Sequence, residues 1–238
     1  LLIGVNLLVY LLFDEKLFGQ ATAVFKQQYL VFESTDPAFH QFFTYQFLHA
    51  DIWHLFGNML FLWVFGNGVN GKMGDIPYLL FYLAGGVFAA WGHAVVDPEP
   101  FRLVGASGSI AAITTAYLAL FPRARVTVLV WFFFIYFFEM SAMIIIGLKI
   151  IVWDNIVAPN LGTQGAVAYQ AHLAGYLFGF VAALLLLFFR ALPRDQFDIL
   201  ALWKRWNQRR ELTAAMSSPA AQARAQYGTV AQVPKRDP

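Results

Sequence analysis

A polytopic bundle of membrane-spanning helices is the fold class this sequence predicts, and three observations predict it. Of its 238 residues, 59% are hydrophobic and only 13% are charged, against about 45–50% and about 25% in an average soluble domain. The mean hydropathy is +0.58. The apolar residues fall in long continuous runs, without the alternation that barrel strands require. A chain this short has too little interior to hide so much apolar surface from water. The composition therefore argues against a soluble globular enzyme and against disorder over most of the chain. A net charge of +2 gives no basis for nucleic-acid binding. The absence of cysteine removes disulfides, thiolate metal sites and a cysteine nucleophile.

Each crossing needs about 20 apolar residues whose backbone is satisfied internally, which in these runs means helices. Leu1 to Phe13 is apolar but too short to cross alone, and the sequence starts at Leu. It reads as the end of a first span; as a signal sequence it would lack a basic region and a small-residue cleavage site. The runs Ile52 to Gly71, Ile76 to Val96, Leu103 to Pro122 and Val126 to Leu148 supply four further spans, the last interrupted only by Glu139. Asn155 to Phe189 supplies the sixth; Pro159, Asn160 and Gly162 are loop-like, so its crossing part is Val167 to Phe189. The expectation is six transmembrane helices, the first truncated, within residues 1–189. Residues 190–238 form a basic tail.

Lysine and arginine set the orientation. Lys72, Arg123, Arg125 and the tail, beginning with Arg190, Arg194, Lys204, Arg205, Arg209 and Arg210, share one side, expected to be cytoplasmic. The loop from Asp14 to Tyr45 lies outside. Its aromatic content suits the membrane interface. Gln196 to Leu212 reads either as an amphipathic helix on the cytoplasmic surface or as a solvated juxtamembrane segment. From Thr213 onward the composition predicts disorder.

Polar groups inside spans are costly, so each asks for a reason. His54 and Asn58 are four apart, on one helix face, with His49 just before that helix. They can glue helices together; a metal site is disfavoured by the lack of clustered carboxylates. Gly105-Ala106-Ser107-Gly108 opens the third of these runs, where glycines expose a hydroxyl at a helix N-terminus. Helix packing through small residues explains such a string as well. His172 precedes Gly175 and Gly179, a seam for close helix contact. All three sites fall in the outer half of outside-to-inside helices. A water-accessible cavity opening outward requires that coincidence; independent helix glue does not. A Ser–His pair is one use of it.

Taken together, His49 with His54 and Asn58, then Gly105-Ala106-Ser107-Gly108, then Ala171-His172 with Gly175 and Gly179, resemble the rhomboid family of intramembrane serine proteases. The resemblance runs from about Phe43 to Leu187. It implies a six-helix core that cleaves transmembrane segments of other membrane proteins in the bilayer with a Ser–His dyad and no third acid, without metal or cofactor. By position, Ser107 would be the nucleophile and His172 the base. His54, Asn58 and the Ser107 N–H would form the oxyanion hole. His49 would brace the first loop, Gly105 and Gly108 would flank the serine, and Gly175 would permit close helix contact. A bacterial inner (cell) membrane is the expected location, with the C-terminus cytoplasmic. Three positions depart from the family pattern: His40-Gln41 in place of Trp-Arg, Asn70 in place of Glu, and Ala111 in place of an aromatic residue that stacks on the histidine. These departures keep a second class open, a non-catalytic rhomboid-like protein that binds transmembrane segments. A small-solute channel or transporter is a third class, supported only by generic intramembrane polarity.

Overall fold

The computed structural model describes residues 1–97, 99–131, 135–157 and 169–217. Its long helices are α1 (Leu2–Leu12), α2 (Ile52–Met73), α3 (Asp75–Val96), α4 (Ser107–Leu120), α6 (Tyr169–Phe188) and α7 (Ile199–Met216), with a short α5 (Ala142–Leu148) before α6. Local chemistry sets several of the ends. Asp51 caps α2, its carboxylate accepting from Trp53 N at 2.8 Å and His54 N at 2.9 Å. Gly74, at φ +86°, makes the one-residue turn into α3. Asp198 caps α7 through Ala201 N at 2.8 Å.

Helix α4 sits at the centre, buried along almost its whole length. Around it α2, α3 and α6 contribute Leu55, Phe65, Val69, Tyr82, Ala183 and Leu187 to one apolar core. Of the described helices, α3 and α6 are both long and apolar enough to cross a membrane. The chain is a mostly helical membrane protein, as the composition predicts.

One element differs. The run Val126 to Leu148 is not a single spanning helix. Strands β3 (Arg125–Trp131) and β4 (Ile135–Ser141) pair antiparallel, with Thr127 opposite Glu139, and only Ala142–Leu148 is α-helical. Lys149–Val157 continues as a π-helical stretch. The physical reason lies in side-chain shape. Val126, Val128, Ile135, Tyr136, Phe137 and Phe138 are β-branched or aromatic residues, which suit a pleated surface. Apolarity alone does not tell a buried helix from a strand. The loop-like residues expected at Pro159 to Gly162, and the start of the last span at Val167, lie outside the described residues.

The first loop is ordered onto the bundle. It contains β1 (Phe32–Glu33), which pairs with β2 (Arg102–Leu103) in the segment leading to α4. Further on, Gln46 is fully buried and donates to Phe42 O at 2.7 Å and Leu83 O at 3.1 Å while accepting from Ser109 Oγ at 2.8 Å. One amide thus joins the loop, α3 and α4. Tyr45 adds O–H to Gly86 O at 2.7 Å. At the opposite end, Asn70 Nδ2 donates to Asp75 Oδ1 at 3.0 Å, so the residue that departs from the family pattern holds the α2–α3 turn together. Lys72 pairs with Asp195, tying the start of the tail to the end of α2. Helix α7 covers most of the stretch read as amphipathic helix or solvated segment. It runs on to Met216, past the expected start of disorder at Thr213, and residues 218–238 lie outside the described part.

The tightest joint is between α4 and α6. A Cβ built at Gly179 would overlap the Ala112 backbone, and one at Gly175 would overlap the Gly108 carbonyl. Thr115 Oγ1 reinforces the joint by donating to Tyr176 O at 2.8 Å.

Three stability outcomes follow from these contacts. Gly179→Ala lowers the melting temperature in detergent, because overpacking against backbone costs about 1–3 kcal/mol and exceeds the helix-propensity gain of about 1 kcal/mol. Gly71→Ala, where a Cβ meets nothing within 4 Å, leaves it unchanged or raises it. Gln46→Leu strands the Ser109 hydroxyl and the Leu83 carbonyl and costs about 1–3 kcal/mol in the same assay. His49, just before α2, is held down to about 4 from its ordinary 6.5 by burial, and next by the charge of His54. The unfolded chain therefore binds a proton that the folded chain refuses. That stabilisation is complete above pH 6.5 and is lost as pH falls from about 6.5 to about 4. Stability of wild type in tryptophan-monitored unfolding will weaken across that window, and His49→Phe will lessen that weakening.

Candidate active site

Ser107 is the first residue of α4 and is half-buried, with Ala106 and Gly108 buried on either side. Its position follows from Gly105, whose φ of +123° only glycine adopts without strain. The same glycine makes room for a ring. A Cβ there would stand 2.8 Å from His54 Cε1, 2.9 Å from His54 Nε2 and 3.7 Å from Ser107 Oγ. The serine hydroxyl and the His54 imidazole therefore flank one α-carbon.

His54 lies in the first turn of α2, oriented by the Asp51 cap. His49 packs edge-to-face on it with ring centroids 5.2 Å apart, and is itself buried. Asn58 follows one turn later. Its Nδ2 is buried and has no hydrogen-bond partner among the described residues. It is a donor one turn along α2 from His54. The N-terminus of α4 supplies backbone N–H groups and the positive end of a helix dipole at the same place.

His172 lies in the first turn of α6, buried, with Gly175 three residues on and pressed against Gly108. The seam thus brings its turn to the N-terminal end of α4. Among the described residues Ser107 Oγ makes no hydrogen bond to His172. Ala111 Cβ faces Gly175 at 3.1 Å from the position of an added Cβ, so Ala111 belongs to the seam and puts no ring on the histidine. His40 bonds the Tyr29 carbonyl at 2.7 Å, while Gln41 Oε1 accepts from Ala38 N at 3.1 Å.

The structure thus gathers Ser107, His54, Asn58 and His172 at one end of the bundle, with His49, Gly105, Gly108 and Gly175 fitted around them. Two contributors were not singled out in the sequence. Asp51 was legible as an Asp directly before an apolar helix. Gln46 carried only the signal of an amide in an aromatic stretch.

Comparison with known proteins gives the lineage. The chain is 29% identical to rhomboid protein 1, mitochondrial, of Saccharomyces cerevisiae over 142 residues, covering 56% of this chain and 38% of that protein. It is 32% identical over 136 residues to presenilin-associated rhomboid-like protein A, mitochondrial, of Danio rerio, covering 56% and 34%. It is 40% identical over 74 residues to rhomboid-like protein 11, chloroplastic, of Arabidopsis thaliana, covering 31% and 26%. The chain spans about a third of the length of the curated relatives it matches. The names place these relatives in mitochondria and chloroplasts and lend no support to the expected bacterial cell membrane. The family model described as the rhomboid domain matches residues 36–189, which include every residue of the site. The chain belongs to the rhomboid family.

Proposed function

We propose that this chain is an intramembrane serine endopeptidase that hydrolyses peptide bonds in or near the transmembrane segments of other membrane proteins. The observation that carries the reading is the convergence on Gly105, where Ser107 Oγ and His54 flank one α-carbon while the α4–α6 seam delivers the turn of His172. Ser107 Oγ attacks the scissile carbonyl carbon and its proton passes to His172. The carbonyl oxygen becomes an oxyanion that meets the Asn58 Nδ2, His54 and the Ser107 N–H. Collapse breaks the C–N bond, His172 returns the proton to the leaving amine, and a water repeats the sequence on the acyl-enzyme. The Ser107–His172 hydrogen bond is expected to form with substrate in place, since such bonds are often long in free enzymes. Substrates enter from the bilayer, and neither metal nor cofactor is required. The site end faces outward, and the end bearing Lys72 and the tail faces the cytoplasmic side.

A second reading, a rhomboid-like protein that binds transmembrane segments without cutting them, draws on the unmade Ser107–His172 bond and on Ala111. Purified protein and a transmembrane peptide separate the two. Ser107→Ala and His172→Ala will lose cleavage. A fluorophosphonate will label wild type and not Ser107→Ala. Asn58→Ala will lower kcat by about 10²–10³, the usual cost of one oxyanion donor. Peptide binding with neither cleavage nor labelling would sink the protease reading in favour of the binder.

A further inference from the structure

A base that takes a proton from serine must hold its ring still and tolerate the positive charge it acquires. Helix α4 offers His172 nothing for this, since Ala111 is occupied with Gly175. The π-helical stretch does. Asp154 Oδ2 lies 3.5 Å from His172 Nδ1, with Asp154 only 4% and His172 only 7% exposed. The same oxygen accepts from the Tyr176 hydroxyl at 2.7 Å and from Lys149 Nζ at 2.9 Å. Lys149 also reaches Asp154 Oδ1 at 3.2 Å and the Tyr176 hydroxyl at 2.6 Å. Tyr176 is one turn along α6 from His172, so the carboxylate is fixed to the histidine's own helix. A cavity of about 220 Å³ is lined by Asp154, Asn155, Tyr169, His172 and Tyr176.

We propose that Asp154 is a positioning residue for His172, a third member behind the serine and histidine. The proposal rests on the reading of His172 as the general base. At 3.5 Å the contact is an ion-pair approach, and Nδ1 has no hydrogen-bond partner among the described residues. The attraction is therefore weak while the imidazole is neutral and grows as it takes the proton. That is the behaviour of an interaction that favours the transition state over the ground state. A lone buried carboxylate would be too costly to keep charged; Lys149 and the Tyr176 hydroxyl hold it ionised and aimed. The other groups that bear on His172 are Tyr169 on α6 and His54 on α2. Asp154 was legible in the sequence only as one acid among several on the outer side.

The test uses the full chain in detergent, a fluorogenic transmembrane peptide, and the fluorophosphonate. In Asp154→Asn, kcat is expected to fall up to about a hundredfold with KM within twofold, beyond any loss of folded fraction, and the melting temperature is expected to drop because Lys149 keeps a buried charge without its partner. The carboxylate favours the imidazolium, so its loss will move the acid limb of the pH–rate profile to lower pH. Ser107 labelling will slow in proportion to kcat. Tyr176→Phe, which frees the carboxylate but keeps the ring, will fall in the same direction by a smaller factor, and Asp154→Glu will restore part of the rate. Where Asp154→Asn fails to fold, these last two carry the test. An active wild type whose Asp154→Asn variant keeps its kcat and pH profile, or loses rate only with folded fraction, overturns the positioning role alone. A wild type that neither cleaves nor labels overturns the protease reading and the role of Asp154 with it.

Discussion

The direct meeting of α4 and α6 backbones is the constraint on which the site depends. Side chains usually keep helix axes 8–10 Å apart. Here Gly175 and Gly179 remove the side chains from one partner, and Gly108 and Ala112 answer on the other. Between helices in hydrocarbon there is little hydrophobic drive, so close packing and interhelical hydrogen bonds do most of the joining. Thr115 provides one such bond, to the Tyr176 carbonyl. Because the joint lies one turn from both Ser107 and His172, its tolerance is the tolerance of the pair. A helix that slid or tilted on a softer surface would carry the histidine away from the serine.

A second constraint is that polar groups buried in so apolar a chain must answer one another. Gln46 is the clearest case. Its amide nitrogen serves two carbonyls and its oxygen serves the Ser109 hydroxyl, so the first loop, α3 and α4 share one polar node. Tyr45 extends it through its hydroxyl to Gly86, and its carbonyl accepts from Gly105 N at 2.9 Å. This second bond bears on the site, since Gly105 is the residue flanked by Ser107 and His54. Through it the first loop helps set the position of the serine. Asn58 Nδ2 is one of the buried side-chain atoms left without a partner among the described residues.

Which parts were legible in the sequence follows from the range of the forces involved. The helices α2, α3 and α6 are written in uninterrupted apolar runs, and Asp51 and Gly74 mark two of their boundaries. Ser107, His172, His54 and Asn58 were visible because ionisable and amide groups are scarce within such runs. The stretch from Val126 was misjudged because its apolarity masked a β-branched and aromatic composition that suits a hairpin. Asp154 and Gln46 escaped for another reason. Their roles exist only across space, Asp154 with a histidine 18 residues later, and no spacing rule within a segment announces them.

The groups around the histidine favour charge of both signs. On the serine side stand the N-terminus of α4, the Asn58 amide and His54, all able to favour negative charge. Asp154, 3.5 Å from His172 Nδ1, favours positive charge on the imidazole. In the proposed reaction, proton transfer from Ser107 to His172 would separate charge in that sense, with the anion moving to the substrate oxygen and the cation to the ring. An apolar surround gives such fixed charges more leverage than water would. Lys149 looks at first like a counterweight, since its ammonium would oppose a charged histidine. It is bound to both carboxylate oxygens and to the Tyr176 hydroxyl, whereas the nearest acid to the ring is Asp154 itself. Its effect is to keep the carboxylate charged in a place where an unpaired one would take up a proton. In the proposed mechanism the cluster of Lys149, Asp154 and Tyr176 would serve as a support for charge on His172.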